Sequence, residues 1–193
     1  GMELNDYTTQ VASYAINMEK SFGTNAKLIS KDMGAMMEDF VNFGRLGPKV
    51  MAAVAVQTRR LGFEAKELVG MIDKFDNFED AAQAASKLNQ VFGIQIDTMG
   101  MLKEQDPAAR LSMMQKAFEA TGKSVENMNR QELKLLASQT GLSEKAAALA
   151  FSQKGLAMSY DDVMAGADDA EGKQLSQAEA MKELSDSIKK TFG

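Results

Sequence analysis

Residues 76–93 read DNFEDAAQAASKLNQVFG, and this stretch carries the signals of an amphipathic α-helix. Asp76 or Asn77 can accept hydrogen bonds from the free amides of a first turn, and Gly93 can adopt the left-handed conformation that ends a helix. Apolar residues recur between them at helical spacing, which predicts one buried face. They are Phe78, Ala81, Ala82, Ala85, Leu88 and Phe92. The pattern therefore predicts a helix over 78–92.

The same order of polar cap, apolar stripe and closing glycine recurs along the chain. Asp106 before Pro107 predicts one helix start, Asn129 and Glu132 have capping-box spacing, and Ser143 can cap a further helix. The glycines predicted to end helices are Gly23, Gly62, Gly93, Gly122, Gly141 and Gly155. An early helix is predicted to carry the apolar residues Leu28, Met36, Phe40 and Val41 toward Phe43.

Composition agrees with a helical fold. Aromatic residues make up 7% of the 193 residues, there are two prolines, and Ala, Leu, Lys, Glu, Gln and Met are abundant. We therefore expect an all-α protein, a compact array of about seven to nine short helices. No run of roughly 20 apolar residues and no signal peptide can be drawn, which predicts a soluble chain without a transmembrane segment.

The last part of the chain differs in charge from the rest. Residues 156–193 hold four lysines and eight acidic residues, a net charge of −4 out of −5 for the whole chain. We expect a single domain with a helical body over 2–155, a flexible acidic hinge over 156–175 and a C-terminal amphipathic helix over 176–193. That helix is predicted to place four apolar residues on one face, namely Met181, Leu184, Ile188 and Phe192.

Missing residue types exclude several kinds of site. The chain has no cysteine and no histidine, which removes disulfides, thiolate ligands, imidazole ligands and the usual general base. Aligning Gly172 with the sixth place of a calcium-binding EF-hand loop puts Ala167 first and Ala178 twelfth, so both anchoring carboxylates are absent. Glycine-rich phosphate loops are absent too. We expect no metal, no cofactor, no small-molecule substrate and no enzymatic activity.

Residues 129–155 have the pattern of a helix-turn-helix, with the turn at Gly141. The exposed positions of its second helix are predicted to include Glu144, Lys145, Ala148 and Leu149, which offer one basic group. Reading bases or holding phosphates needs more Arg, Lys, Asn or Gln than this. The body before residue 156 is nearly neutral as well, which argues against a nucleic-acid partner.

Methionine is frequent, with 15 in the chain. Flexible thioethers fill irregular cores, and they also form adaptable surfaces for partner proteins, so both readings stay open. The candidate partner surface combines the C-terminal stripe with a methionine turn. It comprises Met181, Leu184, Ile188, Phe192, Met99 and Met101.

The middle of the chain resembles a segment of the tape-measure-like tail proteins of marine tailed bacteriophages. The similarity covers roughly residues 61–151 and is carried by four stretches. They are KFDNFEDAAQAASKLNQVFG at Lys74–Gly93, Ile96-Asp97 with Met99, DPAAR at Asp106–Arg110, and QELKLLASQTGLS at Gln131–Ser143. The resemblance implies a virion component without enzymatic activity, assembled in the host cytoplasm, with other tail proteins as partners or with self-association.

Three functional hypotheses follow. The leading one is a non-enzymatic phage structural or tail protein, or a domain of one, that acts through protein–protein contacts. The alternative is a helix-turn-helix DNA-binding regulator that uses residues 129–155. A helical enzyme working through carboxylates or lysines is the third, and it requires a pocket in which such groups converge.

Overall fold

The computed structural model describes the backbone of residues 4–192 and the side chains of residues 7–186. Within these residues it has thirteen α-helices, two short 3₁₀ segments and no strand, so the all-α prediction is confirmed. The helices are α1 (Leu4–Phe22), α2 (Ala26–Glu38), α3 (Phe40–Phe43), α4 (Pro48–Leu61), α5 (Val69–Phe75), α6 (Phe78–Phe92), α7 (Thr98–Lys103), α8 (Pro107–Glu119), α9 (Arg130–Thr140), α10 (Glu144–Ala150), α11 (Gln153–Leu156), α12 (Tyr160–Glu171) and α13 (Gln177–Phe192). The 3₁₀ segments are Ala65–Leu68 and Val125–Asn127.

The helix count exceeds the predicted seven to nine because polar caps start new helices inside segments that were read as continuous. The Asp39 carboxylate accepts a hydrogen bond from the Asn42 amide at 3.3 Å, which separates α3 from α2. Ser152 Oγ accepts one from the Gly155 amide at 3.0 Å and starts α11. Gly155, predicted to end a helix, is buried inside this one.

The other predicted helix boundaries are confirmed. Asn77, Asp106 and Ser143 each accept hydrogen bonds from first-turn amides, and Asn129 with Glu132 forms a complete capping box. The glycines with positive φ are those predicted to end helices. They are Gly23, Gly62, Gly93, Gly122 and Gly141.

The chain divides into two compact units. One is formed by Gly1–Arg60 together with Tyr160–Gly193, and the other by Leu61–Ser159. We call them the terminal unit and the central unit. This division differs from the predicted single domain with a body over 2–155, because both ends of the chain contribute to one unit.

Helix α4 lies inside the terminal unit. Two of its turns, Met51–Thr58, are buried on every side, which its small alanine and valine side chains permit. At the end of this helix Arg59 forms an ion pair with the buried Asp32 of α2, with Nε at 2.6 Å from Oδ2 and Nη2 at 2.7 Å from Oδ1. The two parallel hydrogen bonds satisfy the buried carboxylate and set the register of the two helices.

The structure has a helix, α12, where the acidic hinge over 156–175 was predicted. Val163, Ala167 and Ala170 are buried at helical spacing. The acidic residues that suggested a solvated linker occupy the opposite, exposed face of this helix. They are Asp161, Asp162, Asp168 and Asp169. Glycine and aspartate lowered the apparent apolar content of the segment, yet small alanines are enough to pack against α1.

The connection from α12 to α13 is also held in place. Asn17 Nδ2 donates to the Lys173 carbonyl oxygen at 3.0 Å, and Ser13 Oγ accepts from the Leu175 amide at 3.0 Å. Both side chains belong to α1 and both are buried. Helix α13 then packs against α1 and α2.

A buried arginine organises part of the central unit. Arg110 of α8 is 3% exposed, and its Nε donates to the carbonyl oxygens of Met101 and Glu104 at 2.8 Å and 2.7 Å. Its Nη1 lies 3.1 Å from Asp76 Oδ1 at the end of α5. One side chain therefore satisfies carbonyls at the end of α7 and links α5, α7 and α8.

The buried face of α6 is rotated slightly from the predicted one. Ala81, Ala84, Leu88 and Phe92 are buried, whereas Phe78 is exposed because it is the first residue of the helix and its side chain precedes the packed turns. None of the described helices has both the length and the apolar character needed to cross a membrane.

Candidate functional site

The predicted C-terminal partner stripe is only partly exposed. Met181 is 55% exposed and Leu184 is half-buried, while the side chains of Ile188 and Phe192 lie outside the described residues. Within the terminal unit α13 packs on α1 and α2, with Ala180 buried. An ion pair between Lys20 Nζ and Glu183 Oε2 at 2.8 Å joins α13 to α1. The described part of this helix therefore docks on its own unit.

Met99 and Met101 do not form one surface. Met99 is 52% exposed, whereas Met101 is fully buried, so the prediction of Met101 as a partner residue is wrong. Residues two apart on a helix point to nearly opposite sides, which explains the difference. Among the described methionines, the buried ones outnumber the exposed ones. The buried ones are Met18, Met33, Met36, Met51, Met71, Met101 and Met114.

Residues 129–155 form a helical corner of the expected kind. Gly141, with φ of 80°, separates α9 from α10, and the Leu142 amide donates to the Ala137 carbonyl oxygen at 3.1 Å. Glu144 and Lys145 are exposed at the start of α10, which is seven residues long. Ala148 and Leu149, predicted to be exposed, are half-buried. The surface of α10 thus presents one acid and one base.

Acidic side chains do not converge on a metal site in the described part of the chain, where no group of three or more metal-ligating residues is found. Two acids of α12 serve another purpose. Lys49 Nζ lies 2.8 Å from Asp168 Oδ1 and 3.2 Å from Glu171 Oε2, which joins α4 to α12. The hydrogen bonds from Lys49 to these two carboxylates raise the pKa of the ammonium group.

An open groove of about 960 Å³ runs along α6 in the central unit. Its lining mixes both charges with amide groups and includes Asp73, Lys74, Gln83, Lys87 and Gln139. Lys74 Nζ donates to the Ser138 carbonyl oxygen at 2.9 Å and so caps the end of α9. The groove offers hydrogen bonds and no single dominant charge.

The most exposed apolar side chains lie at the corner between α2 and α3. Phe40 is 73% exposed and Val41 is 92% exposed, and Met37 in the last turn of α2 is also exposed. We call Met37, Phe40 and Val41 the apolar corner. The sequence had predicted one helix that carries Phe40 and Val41 toward Phe43. The structure instead breaks this helix at Asp39, and both side chains are exposed.

The apolar corner is held firmly despite its exposure. Phe43 is 2% exposed and anchors α3. The Asp39 carboxylate accepts hydrogen bonds from both the amide and the side-chain nitrogen of Asn42. The Phe40 ring lies where a β-carbon on Gly44 would stand, so the absence of a side chain at Gly44 lets the ring rest against the backbone. Phe40 is therefore positioned before any partner arrives.

Two opposite charges flank the apolar corner. Glu38 precedes it and Arg45 follows it, and both are exposed. Neither forms an ion pair with any described residue, whereas Asp39 bonds Asn42 and Lys49 bonds Asp168 and Glu171. The corner thus combines an apolar centre with one acidic and one basic group at its edges.

Comparison of the chain with protein-family models, with characterised proteins and with solved structures finds no match. Function is therefore inferred from the geometry of the apolar corner and from the sequence resemblance. Asp39 can cap a helix and so signals a break before Phe40. The exposure of Phe40 and Val41 depends on tertiary contacts that the local sequence does not show.

Proposed function

We propose that this chain is a non-enzymatic structural protein of a tailed-bacteriophage virion, or a domain of one, that acts through protein–protein contacts. Its partners are other tail proteins or further copies of itself, and it is assembled in the host cytoplasm. The observation that carries the proposal is the apolar corner: an ordered surface feature with an aromatic and a β-branched side chain in water.

The energetics of the corner favour a contact surface. Fully burying a Phe or Val side chain is worth about 1.5–3 kcal/mol, a free energy that the isolated chain leaves unused at Phe40 and Val41. Aromatic residues at the centre of an interface are the usual contributors of binding energy. Because Phe40 already rests on Gly44, little side-chain freedom is lost when a partner covers it.

The assignment to a phage tail is supported by the resemblance of residues 61–151 to tape-measure-like proteins. All of this stretch lies in the central unit, and three of its helices start at caps within the quoted stretches: Asn77, Asp106 and Ser143. Structural virion proteins act by assembling with other proteins. The resemblance concerns the central unit, whereas the apolar corner, which supplies the proposed contact residues, belongs to the terminal unit.

Sequencing the source DNA outward from both ends of this coding segment tests the tail assignment. We expect the segment to lie among tail and capsid genes. Mass spectrometry of virions purified from the same source is expected to detect its peptides. Location among metabolic or regulatory genes, with no peptide in virions, contradicts the proposal.

The second candidate, a DNA-binding regulator using residues 129–155, is favoured by the α9–α10 corner with its turn at Gly141. Fluorescence anisotropy of labelled duplex DNA at 50 mM and 200 mM salt separates it from the leading proposal. A contact protein gives no change in anisotropy at either salt concentration. A regulator gives binding that weakens steeply with salt and that Lys145→Glu reduces, and this outcome replaces the tail proposal.

A further inference from the structure

We propose that the helix break at Asp39 is a conformational switch, across which α2 and α3 join into one continuous helix over 26–43. In the broken form, which the structure has, the Phe40 side chain is exposed. In the joined form it turns toward the buried face of α2 and leaves the surface. This inference goes beyond the proposed function, because it concerns how the chain controls the display of Phe40 and does not depend on the identity of a partner.

One residue separates the two helices, since α2 ends at Glu38 and α3 begins at Phe40. The φ of Asp39, −94°, lies close to the helical region, whereas its ψ of 70° departs from the helical value of about −42°. The Asp39 amide still donates to the Ala35 carbonyl oxygen at 3.2 Å, as it does in a continuous helix. Rotation about mainly one backbone bond therefore separates the two forms.

The apolar spacing of this segment fits the joined form. The buried residues of α2 share one face and are Ala26, Ile29, Asp32, Met33 and Met36. A continuous helix places Phe40 within about 20° of the centre of that face, with Phe43 on the same face. Val41 lies about 120° away from the centre and stays exposed. The local sequence therefore specifies a buried Phe40, and the break overrides this preference.

Helix α1 offers a surface beside the break. It packs against α2 and is connected to it by the short turn 23–25, so the two helices run in opposite directions. With 19 residues against 13, α1 continues past the end of α2. Residues 12–18 of α1 are buried, whereas residues 7–11 are half-buried or exposed. The joined helix thus extends along the less covered part of α1.

Hydrogen bonds of Asp39 hold the broken form. Its carboxylate accepts from the Asn42 amide at 3.3 Å and from the Asn42 side-chain nitrogen at 3.1 Å and 2.9 Å. In the joined form the amides of Phe40, Val41 and Asn42 donate instead to the carbonyl oxygens four residues earlier. A partner that contacts Phe40 selects the broken form, because it binds only when this side chain is displayed.

Asp39→Ala tests the switch, because it removes the cap and puts a strong helix former at the break. Hydrogen exchange followed by nuclear magnetic resonance on the full chain measures the Asn42 amide. We expect this amide to exchange at least fivefold more slowly in Asp39→Ala than in the natural chain, because it gains the Glu38 carbonyl oxygen as its acceptor. Nuclear Overhauser contacts between the Phe40 ring and residues 7–11 are expected in the same variant.

Asn77→Ala is the matched control, since Asn77 caps α6 just after α5 ends and accepts from the Asp80 amide at 2.8 Å. Loss of this cap is expected to speed exchange at Asp80, which is the ordinary effect of removing a capping side chain. Faster or unchanged exchange at Asn42 in Asp39→Ala, or the absence of the ring contacts, overturns the switch. The apolar corner is then displayed permanently, and the proposed function stands.

Discussion

Gly70 of α5 and Gly141 in the α9–α10 turn approach each other backbone to backbone. A β-carbon on either glycine would meet the main chain of the other well inside contact distance. The turn glycine was predictable, because a helix end followed by a new cap requires a positive φ. Gly70 was not, because its role depends on a residue 71 positions away that helical periodicity cannot reveal.

Gly70→Ala is expected to lower the free energy of unfolding by about 1–3 kcal/mol, because the added methyl group must push the Gly141 backbone away. Gly34 in α2 is the matched control, since it is a helical glycine with open space around its missing side chain. Gly34→Ala is expected to raise the free energy of unfolding by about 0.5–1 kcal/mol. Chemical denaturation measures both changes. Equal effects of the two substitutions contradict the close approach.

Glu126 links a 3₁₀ segment to the start of α11. A hydrogen bond from the Ser124 hydroxyl, and a second from the Gln153 amide at 3.0 Å, hold the pKa of its carboxyl below the ordinary value of 4.5. Because the pKa is lowered on folding, these bonds stabilise the protein above the unfolded-state pKa, and the contribution is lost as the pH falls through the folded-state pKa.

The natural chain is therefore expected to be more stable than Glu126→Gln at pH 6, and the difference is expected to shrink as the pH falls below 4.5. Urea denaturation at a series of pH values measures it. Glu119→Gln, at an exposed carboxylate of α8, serves as the control and is expected to show no such trend. A stability difference for Glu126→Gln that is constant with pH contradicts the account of this site.

At the scale of elements, caps and closing glycines located most helices, whereas polar anchors between helices were missed. Ser13 and Asn17 are polar residues within an apolar stretch of α1. In the structure they bond the backbone at Leu175 and Lys173. Such bonds join residues more than 150 positions apart, so local pattern could not show that the predicted hinge is fixed.

Ser13→Ala is expected to speed hydrogen exchange at the Leu175 amide about fivefold, because one such hydrogen bond contributes about 1 kcal/mol. Exchange followed by nuclear magnetic resonance on isotopically labelled protein measures the rate at this amide. Thr8→Ala, at an exposed position of the same helix, is expected to change nothing. Rapid exchange at Leu175 in the natural chain contradicts an anchored connection and restores the flexible hinge.

At the scale of the whole molecule, the all-α class followed from composition and caps, while the division into units did not. The terminal unit joins Gly1–Arg60 to Tyr160–Gly193, and its contacts include the pairs Lys20–Glu183 and Lys49–Asp168. Nothing in the local sequence marks such partners. The candidate contact surface also differs from the predicted one. Helical periodicity shows which apolar residues share a helix face, but it does not show which of them tertiary contacts bury.

Sedimentation velocity over a range of protein concentrations, on the natural chain and on Phe40→Ser, tests most directly whether the apolar corner forms contacts between copies of this chain. Phe78→Ser is the matched control, because Phe78 is also an exposed phenylalanine, at 61%, but lies in the central unit. We predict that the sedimentation coefficient of the natural chain and of Phe78→Ser rises with concentration, and that of Phe40→Ser stays at the monomer value. Three chains that sediment alike contradict self-association through the apolar corner.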